Sequence, residues 1–128
     1  MSKTARPPIY VTEAELERLS DLAYAVQDRE PAAIHLIEEL ARAEVTSLEN
    51  FPPDAVRMHD TVSFLYDGVR YDDFVLVYPF EANIEARRIS ILTQVGAALI
   101  GLNLGDDLCW RGGDGRDHTL QVLNVSRG

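Results

Sequence analysis

The chain has 128 residues, of which 46% are hydrophobic and 26% charged, and 12 Lys and Arg stand against 21 Asp and Glu for a formal net charge of −9. The length fits one domain, or a small domain with an appendage, and the composition excludes wholesale disorder. Binding a phosphate backbone requires clustered cations, and the longest basic run is Arg87-Arg88, so direct nucleic-acid binding is disfavoured. An acidic surface of this kind favours basic protein partners.

Three absences bear on where the protein acts. Cys109 is the single cysteine, so it cannot form an internal disulfide. No stretch reaches the roughly 20 apolar residues of a membrane span, and no charged-then-apolar leader opens the chain. We therefore expect a cytoplasmic protein that has no membrane segment.

Residues 12–26 predict an amphipathic helix. Thr12 and Glu15 have the spacing of a capping box, in which the threonine hydroxyl accepts the amide of the residue three positions later, so the helix should begin here. Its apolar stripe consists of Leu16, Leu19, Leu22, Ala23 and Val26. Glu17, Arg18 and Asp21 keep to the opposite face, so the helix should pack on one side only.

A second helix should begin at Pro31, because proline suits the first helical position, where its missing amide has no partner. Its predicted apolar stripe is Ile34, Ile37, Leu40 and Ala41, and its predicted end lies near Glu44 or Val45. The short turn makes the two helices an antiparallel hairpin, a short coiled coil of about 20 to 25 Å. Its tip is Asp28, Arg29 and Glu30.

The chain changes character after the second helix. Residues 46–54 carry a Pro-Pro pair and read as a linker, so we divide the chain into residues 1–50, a strand-like lead with the helical hairpin, and residues 51–128, a second domain. In the second domain the apolar period becomes two. Strands are predicted from 56 to 66 and at 69–78, 88–92, 108–111 and 119–125, with hairpin turns at Asp67-Gly68 and 112–115.

The predicted fold is therefore α+β: the N-terminal helices, then an antiparallel sheet of about five strands covered by one short helix at 95–102. Such a sheet must have its apolar face covered. A helix rich in small residues can lie close to the sheet, and Gly96, Ala97 and Ala98 allow this approach.

The segment RISILTQVGAALIGLNLGDDLCW, residues 88–110, resembles the C-terminal domain of the bacterial Gre transcript-cleavage factors. LVYP at 76–79, VGAALIGL at 95–102 and GD at 105–106 are similar to the Rnk branch of these Gre-like proteins. The resemblance covers nearly the whole chain and is strongest from 53 to 125. It implies an FKBP-like C-terminal domain that carries the helical hairpin, and RNA polymerase as the partner. In the family, the globular domain docks at the rim of the polymerase secondary channel while the hairpin points inward.

The resemblance also implies a docking loop. The family's loop lies at the strand-to-helix turn before the Leu-Ile-Gly helix, which in this chain is Leu92, Thr93, Gln94, Val95 and Gly96. Gln94 stands where these proteins usually have proline, and Leu92 stands where the Gre factors have aspartate. Both departures can weaken or retune docking on the polymerase.

Cleavage stimulation is an alternative function, because Gre factors use an acidic pair at the hairpin tip to help hold a second magnesium ion, and Asp28 and Glu30 stand at the corresponding place. Three arguments oppose it. A Gre hairpin is roughly twice as long in residues, Arg29 offsets the two carboxylates, and acidic residues at helix ends ordinarily stabilise the helix dipole. The sequence thus favours a regulator that competes with Gre-type factors at the secondary channel without stimulating cleavage.

Catalytic and cofactor sites have little support. His35, His59 and His118 lack metal-ligand spacing, and Cys109 between apolar neighbours is typical of core packing, so we predict no metal, no cofactor and no enzyme. An FKBP-like prolyl isomerase is a further alternative, with a pocket formed by Tyr66, Tyr71, Phe74, Tyr78, Phe80 and Trp110. A shared fold does not transmit activity, however. An adaptor for some other basic protein is the third possibility.

Overall fold

A computed structural model describes residues 7–112 and 114–127, so the predicted polar lead before Pro7 and Gly113 of the predicted turn lie outside the described residues. In chain order the elements are β1 Tyr10–Val11, α1 Glu13–Val26, α2 Pro31–Ala41, β2 Glu44–Val45, β3 Thr61–Tyr66, β4 Val69–Val77, β5 Arg88–Ser90, α3 Gln94–Leu99, β6 Asp107–Arg111 and β7 Asp117–Ser126. Among the described helices, none has the length and apolar character needed to cross a membrane.

The main sheet has the strand order β5-β4-β3-β7-β6. Three of its pairings are antiparallel, but β4 and β5 run parallel, with Val75 opposite Arg88 and Val77 opposite Ser90. The predicted wholly antiparallel sheet is therefore wrong at this edge. A parallel pair needs a connection that carries the chain back along the sheet, and residues 78–87 do so through the short 3₁₀ turns Pro79–Glu81 and Ile84–Ala86.

The turn between β3 and β4 confirms its sequence prediction. Asp67 and Gly68 both adopt positive φ, 51° and 82°, as the favoured two-residue hairpin turns require. β3, in contrast, begins at Thr61 instead of near Val56. The backbone of Val56 bonds outside the sheet, donating to Leu102 O at 2.9 Å and accepting from Gly101 N at 2.9 Å, which fixes the chain after α3.

The helix starts are as predicted. The amide of Glu15 donates to Thr12 Oγ1 at 3.2 Å, and Pro31 opens α2. The predicted end of α2 is wrong, because the helix stops at Ala41 and residues 44–45 instead form β2, which pairs in parallel with β1. The amide of Glu44 donates to Ile9 O at 2.8 Å, so the extended lead finds a partner that periodicity did not indicate.

The apolar face of α2 is turned relative to the prediction. The prediction is confirmed at Leu40, which is 5% exposed, and Ile37 is partly buried against the core, but Ile34 is 43% exposed and Ala41 is exposed. Ala33 and Leu36, which were not predicted to be in the stripe, are fully buried. The reason is that α2 contacts two helices, α1 and α3, and not α1 alone.

The buried side chains of the helices belong to the same core cluster as those of the strands, and α2 packs directly on α3. The antiparallel coiled-coil geometry, the FKBP-like topology and the domain boundary near residue 50 remain predictions.

A buried carboxylate fixes α2 to the start of the described chain. Glu39 is only 1% exposed, and Arg42 Nε donates to its Oε1 at 2.8 Å. Arg42 Nη1 also donates to the carbonyl of Pro7 at 2.6 Å. A buried charge is tolerated when it is paired and hydrogen-bonded, so this pair holds the extended lead against the end of α2.

Candidate functional site

The predicted docking loop lies at the edge of the sheet where β4 and β5 both end. Because these strands are parallel, their carboxyl ends meet at one edge, and the amide of Ile91 donates to Val77 O at 2.8 Å. In the loop itself, Thr93 is exposed, Leu92, Gln94 and Val95 are partly buried, and Gly96 is buried. The side chains available to a partner are therefore those of residues 92–95.

Two hydroxyl side chains hold the loop in shape. Thr93 caps α3, because its Oγ1 accepts the amide of Gly96 at 3.0 Å while donating to Ser90 O at 2.7 Å. Ser90 Oγ accepts the amide of Leu92 at 3.0 Å. The two hydroxyls accept hydrogen bonds from backbone amides that have no backbone partner in the turn. The loop is therefore preorganised.

The lack of a side chain at Gly96 lets α3 pack closely against the end of β5. A Cβ built on it would lie 2.1 Å from the carbonyl oxygen of Ser90, which is a backbone atom and cannot rotate away. Ala97, Ala98 and Leu99 beside it are also buried. The predicted close approach of this small-residue helix is confirmed, and Gly96 positions the loop without being exposed for contact.

Gln94 joins the docking loop to the rest of the body. Its Oε1 accepts from the indole Nε1 of Trp110 at 3.4 Å, a contact that a proline at this position could not make. The two residues border a groove of about 330 Å³, whose remaining lining is Pro31, Ile34, His35 and Glu38 of α2 with Arg111 and Gly112. The start of α2 therefore lies beside the docking loop.

The predicted tip is a solvated turn. Asp28, Arg29 and Glu30 are exposed, and the amides of Arg29 and Glu30 donate to Val26 O at 3.0 and 2.9 Å. Within residues 7–112 and 114–127, no group of three or more His, Cys, Asp or Glu side chains is arranged to hold a metal ion. The geometry gives the two carboxylates no third protein ligand.

Four of the aromatic residues considered for an isomerase pocket form one chain of ring contacts, in which Tyr66 and Tyr71 meet with centroids 6.5 Å apart, and two others form a separate pair. Trp110 stacks on Tyr66 with ring centroids 6.2 Å apart and meets His35 at 5.2 Å. Tyr71 meets Phe74 at 5.8 Å. Phe80 instead stacks on Tyr78 and is 87% exposed. The rings therefore serve mainly to pack the sheet, and Phe80 is directed to solvent.

His118 links two turns that are far apart in sequence. Its Nδ1 donates to Asp67 Oδ2 at 2.7 Å, and its Nε2 lies 3.2 Å from Asp114 Oδ2. The hydrogen bond to Asp67, followed by that to Asp114, raises the pKa of His118 above its ordinary 6.5, and the same bond lowers the pKa of Asp67. Sequence reasoning missed this cluster, since nothing in the spacing of its members indicates their contact.

His118→Gln should destabilise the protein in a pH-dependent way. The folded-state pKa is raised, so the stabilisation by the imidazolium is complete below the unfolded value of 6.5 and disappears as pH rises through the folded-state value. Urea unfolding should therefore show a larger difference between wild type and variant at about pH 5.5 than at about pH 9.

Arg111→Gln is the matched control for His118, because Arg111 forms an exposed ion pair with Asp117 across the same β6–β7 hairpin that carries His118. Arginine keeps its charge at both pH values, so the effect of this substitution should not change between them. An effect of His118→Gln that is equally independent of pH would contradict the imidazolium interpretation.

Comparison with known proteins identifies the family to which this chain belongs. The family model described as "Transcription elongation factor, GreA/GreB, C-term" matches residues 51–127, and the one described as "Rnk N-terminus" matches residues 7–45. The chain belongs to the GreA/GreB family of transcription factors, with the N-terminal part of the Rnk type.

Individual relatives agree with this assignment. The regulator of nucleoside diphosphate kinase of Escherichia coli K12 is 38% identical, with 94% of this chain and 90% of that protein covered. GreA of Rhodospirillum rubrum is 32% identical over 80% of this chain and 72% of its own. The solved structure of a GreA/GreB factor from Nitrosomonas europaea has a TM-score of 0.71 and 34% identity, covering 94% of this chain and 99% of that one. These relatives are regulators or elongation factors and support a role in transcription.

Proposed function

We propose that this chain is a transcription regulator that binds RNA polymerase at the rim of the secondary channel and competes there with Gre-type factors without stimulating transcript cleavage. The observation that carries the proposal is the loop of residues 92–95, which Thr93 caps and whose side chains are exposed or partly buried at the carboxyl edge of β4 and β5, in a chain of the GreA/GreB family. A preorganised loop loses little conformational freedom on docking, which favours its use as a contact.

Competition follows from shared docking. Two proteins that use the same rim surface exclude one another, whatever the length of their helices. In this chain α1 has 14 residues, or about 21 Å at 1.5 Å per residue, and α2 packs on α3. Its acidic tip therefore stays close to the body, and a metal ion deep in the channel would lie beyond its reach.

The charge of the chain supports fast association. Glu13, Glu17 and Asp21 are exposed on α1, and the chain carries a net charge of −9. Against a basic surface, such charges raise the encounter rate more than the final affinity. Association with the polymerase should therefore slow as ionic strength increases.

Val95→Lys tests the docking loop. Val95 is partly buried, and a lysine can direct its ammonium outward while its stem covers apolar surface, so the fold should persist. We expect affinity for core RNA polymerase to fall about tenfold, which corresponds to about 1.4 kcal/mol, as for one important interface residue. Equilibrium binding measures the loss and thermal unfolding checks the fold.

Val45→Lys is the control for Val95→Lys, since Val45 is 52% exposed in β2 and lies outside the loop. It should bind the polymerase as wild type does. No binding of wild type at micromolar concentration would contradict the proposal.

Stalled elongation complexes test the alternative of cleavage stimulation. The wild-type chain should leave the rate of transcript cleavage at background, and replacing Asp28 and Glu30 by alanine should change nothing. Cleavage that the wild type accelerates and the double variant does not would contradict the non-cleaving role and identify the acidic tip as its source.

A further inference from the structure

The connection between β4 and β5, residues 78–87, exposes two large apolar side chains in a rigid setting. Phe80 is 87% exposed and Ile84 65% exposed. Apolar residues scattered singly on a surface need no special explanation, but two within one short connection form the beginning of a patch. Whether the patch has a function depends on how firmly it is held and on what lies next to it.

The connection is held by many hydrogen bonds. Glu81 Oε1 accepts the amide of Tyr78 at 3.2 Å and pairs with His59 Nε2 at 2.9 Å. Asn83 Oδ1 accepts the amides of Glu85 and Ala86 at 3.1 and 3.4 Å.

Backbone bonds and ring stacking complete this support. Asn83 and Arg88 exchange backbone bonds of 3.0 and 2.9 Å. The ring of Phe80 stacks on Tyr78 with centroids 6.2 Å apart and planes inclined by 12°. The backbone around Phe80 is therefore held in place, while its ring contacts Tyr78 and remains 87% exposed.

The position of the connection relates it to the docking loop. Residues 78–81 follow the end of β4 and residues 91–95 follow the end of β5, and these parallel ends share one edge of the sheet. The 3₁₀ turn Pro79–Glu81 contacts β5 directly. Phe80 and the loop of residues 92–95 therefore lie at the same edge of the sheet.

We infer that Phe80, supported by Ile84, is a second anchor for RNA polymerase, one that inserts its ring into an apolar hollow of the polymerase surface beside the part that receives residues 92–95. The inference rests on the proposed function. A rigid aromatic side chain supplies a large apolar area at low entropic cost, which is the usual character of an interface hot spot.

Phe80→Ser tests the anchor in equilibrium binding of the full chain to core RNA polymerase. Affinity should fall at least about tenfold, while the unfolding midpoint stays equal to or above that of wild type, because a ring exposed to this degree contributes little to the core. Phe80→Leu, which keeps apolar volume, should recover part of the affinity.

Val69→Ser is the matched control, since Val69 is 54% exposed at the start of β4, about 26 Å along that nine-residue strand from the end that Phe80 follows. It should bind as wild type does. If Phe80→Ser binds normally while Val95→Lys is weakened, the anchor is wrong and the docking loop stands. If wild type itself does not bind the polymerase, the proposed function fails and the anchor fails with it.

Discussion

Gly96→Ala is expected to lower the free energy of unfolding by about 3 kcal/mol, at the upper end of the usual cost of overpacking. The added Cβ would lie 2.1 Å from the carbonyl oxygen of Ser90, so α3 would have to move away from the end of β5. That movement would also break the capping bonds of Thr93. Urea unfolding monitored by the fluorescence of Trp110, the single tryptophan, measures the loss.

Gly105→Ala is the matched control for Gly96→Ala. Gly105 has a φ of +87° but open space where a Cβ would go, so alanine there bears only the cost of the left-handed conformation, about 1–2 kcal/mol. The substitution at Gly96 should cost clearly more. Equal costs at both positions would mean that α3 does not approach β5 as closely as described.

Leu36→Ala should have the second large effect, a loss of about 2–5 kcal/mol, because Leu36 is fully buried where α2 meets the rest of the core. Ile34→Ala on the same helix should cost less than about 1 kcal/mol, since Ile34 is 43% exposed. Denaturant unfolding of the two variants beside wild type gives the comparison.

The comparison of Leu36→Ala with Ile34→Ala also decides between two orientations of α2, which differ in the face of the helix that is buried. Sequence periodicity assigned Ile34 to the buried stripe, which is correct for a helix that contacts α1 alone. The structure keeps Leu40 in that stripe but adds Ala33 and Leu36 in place of Ile34, as a helix packed on both α1 and α3 requires. A larger loss for Ile34→Ala than for Leu36→Ala would contradict the observed burial and favour the predicted stripe.

The sequence correctly predicts the features that depend on residues close together in the chain. The Thr12 cap, the proline start of α2 and the Asp67-Gly68 turn depend on residues within four positions of one another, and all three are present. The strand character of 61–66 and 69–77 also follows from neighbouring residues. Such features are decided by propensity and hydrogen bonding before tertiary packing acts.

Pairings between distant segments could not be predicted in this way. The parallel edge of β4 and β5 depends on the path of residues 78–87, and β2 depends on the extended lead at residues 10–11. The burial of Glu39 depends on Arg42, which also binds the carbonyl of Pro7, 35 positions earlier in the chain. Each arises from tertiary contacts that override local pattern.

The candidate site likewise combines local features that the sequence predicts with contacts between distant residues that it does not. The position of the docking loop came from the resemblance to Gre factors, and its Thr93 cap is a local feature that a threonine before a helix indicates. The contact of Gln94 with Trp110 and the cluster around His118 join residues 16 and 51 positions apart across the sheet. The sequence places Phe80 among the possible pocket residues, because residue type alone does not show whether a side chain is exposed.

A displacement assay tests the central claim most directly. Core RNA polymerase in a stalled elongation complex carries a labelled Gre-type cleavage factor, and increasing amounts of this chain are added while bound label and transcript cleavage are followed together. We predict that the labelled factor is released and that transcript cleavage falls to background in parallel. A cleavage factor that stays bound while the chain saturates the polymerase, or cleavage that rises as the chain is added, would contradict it.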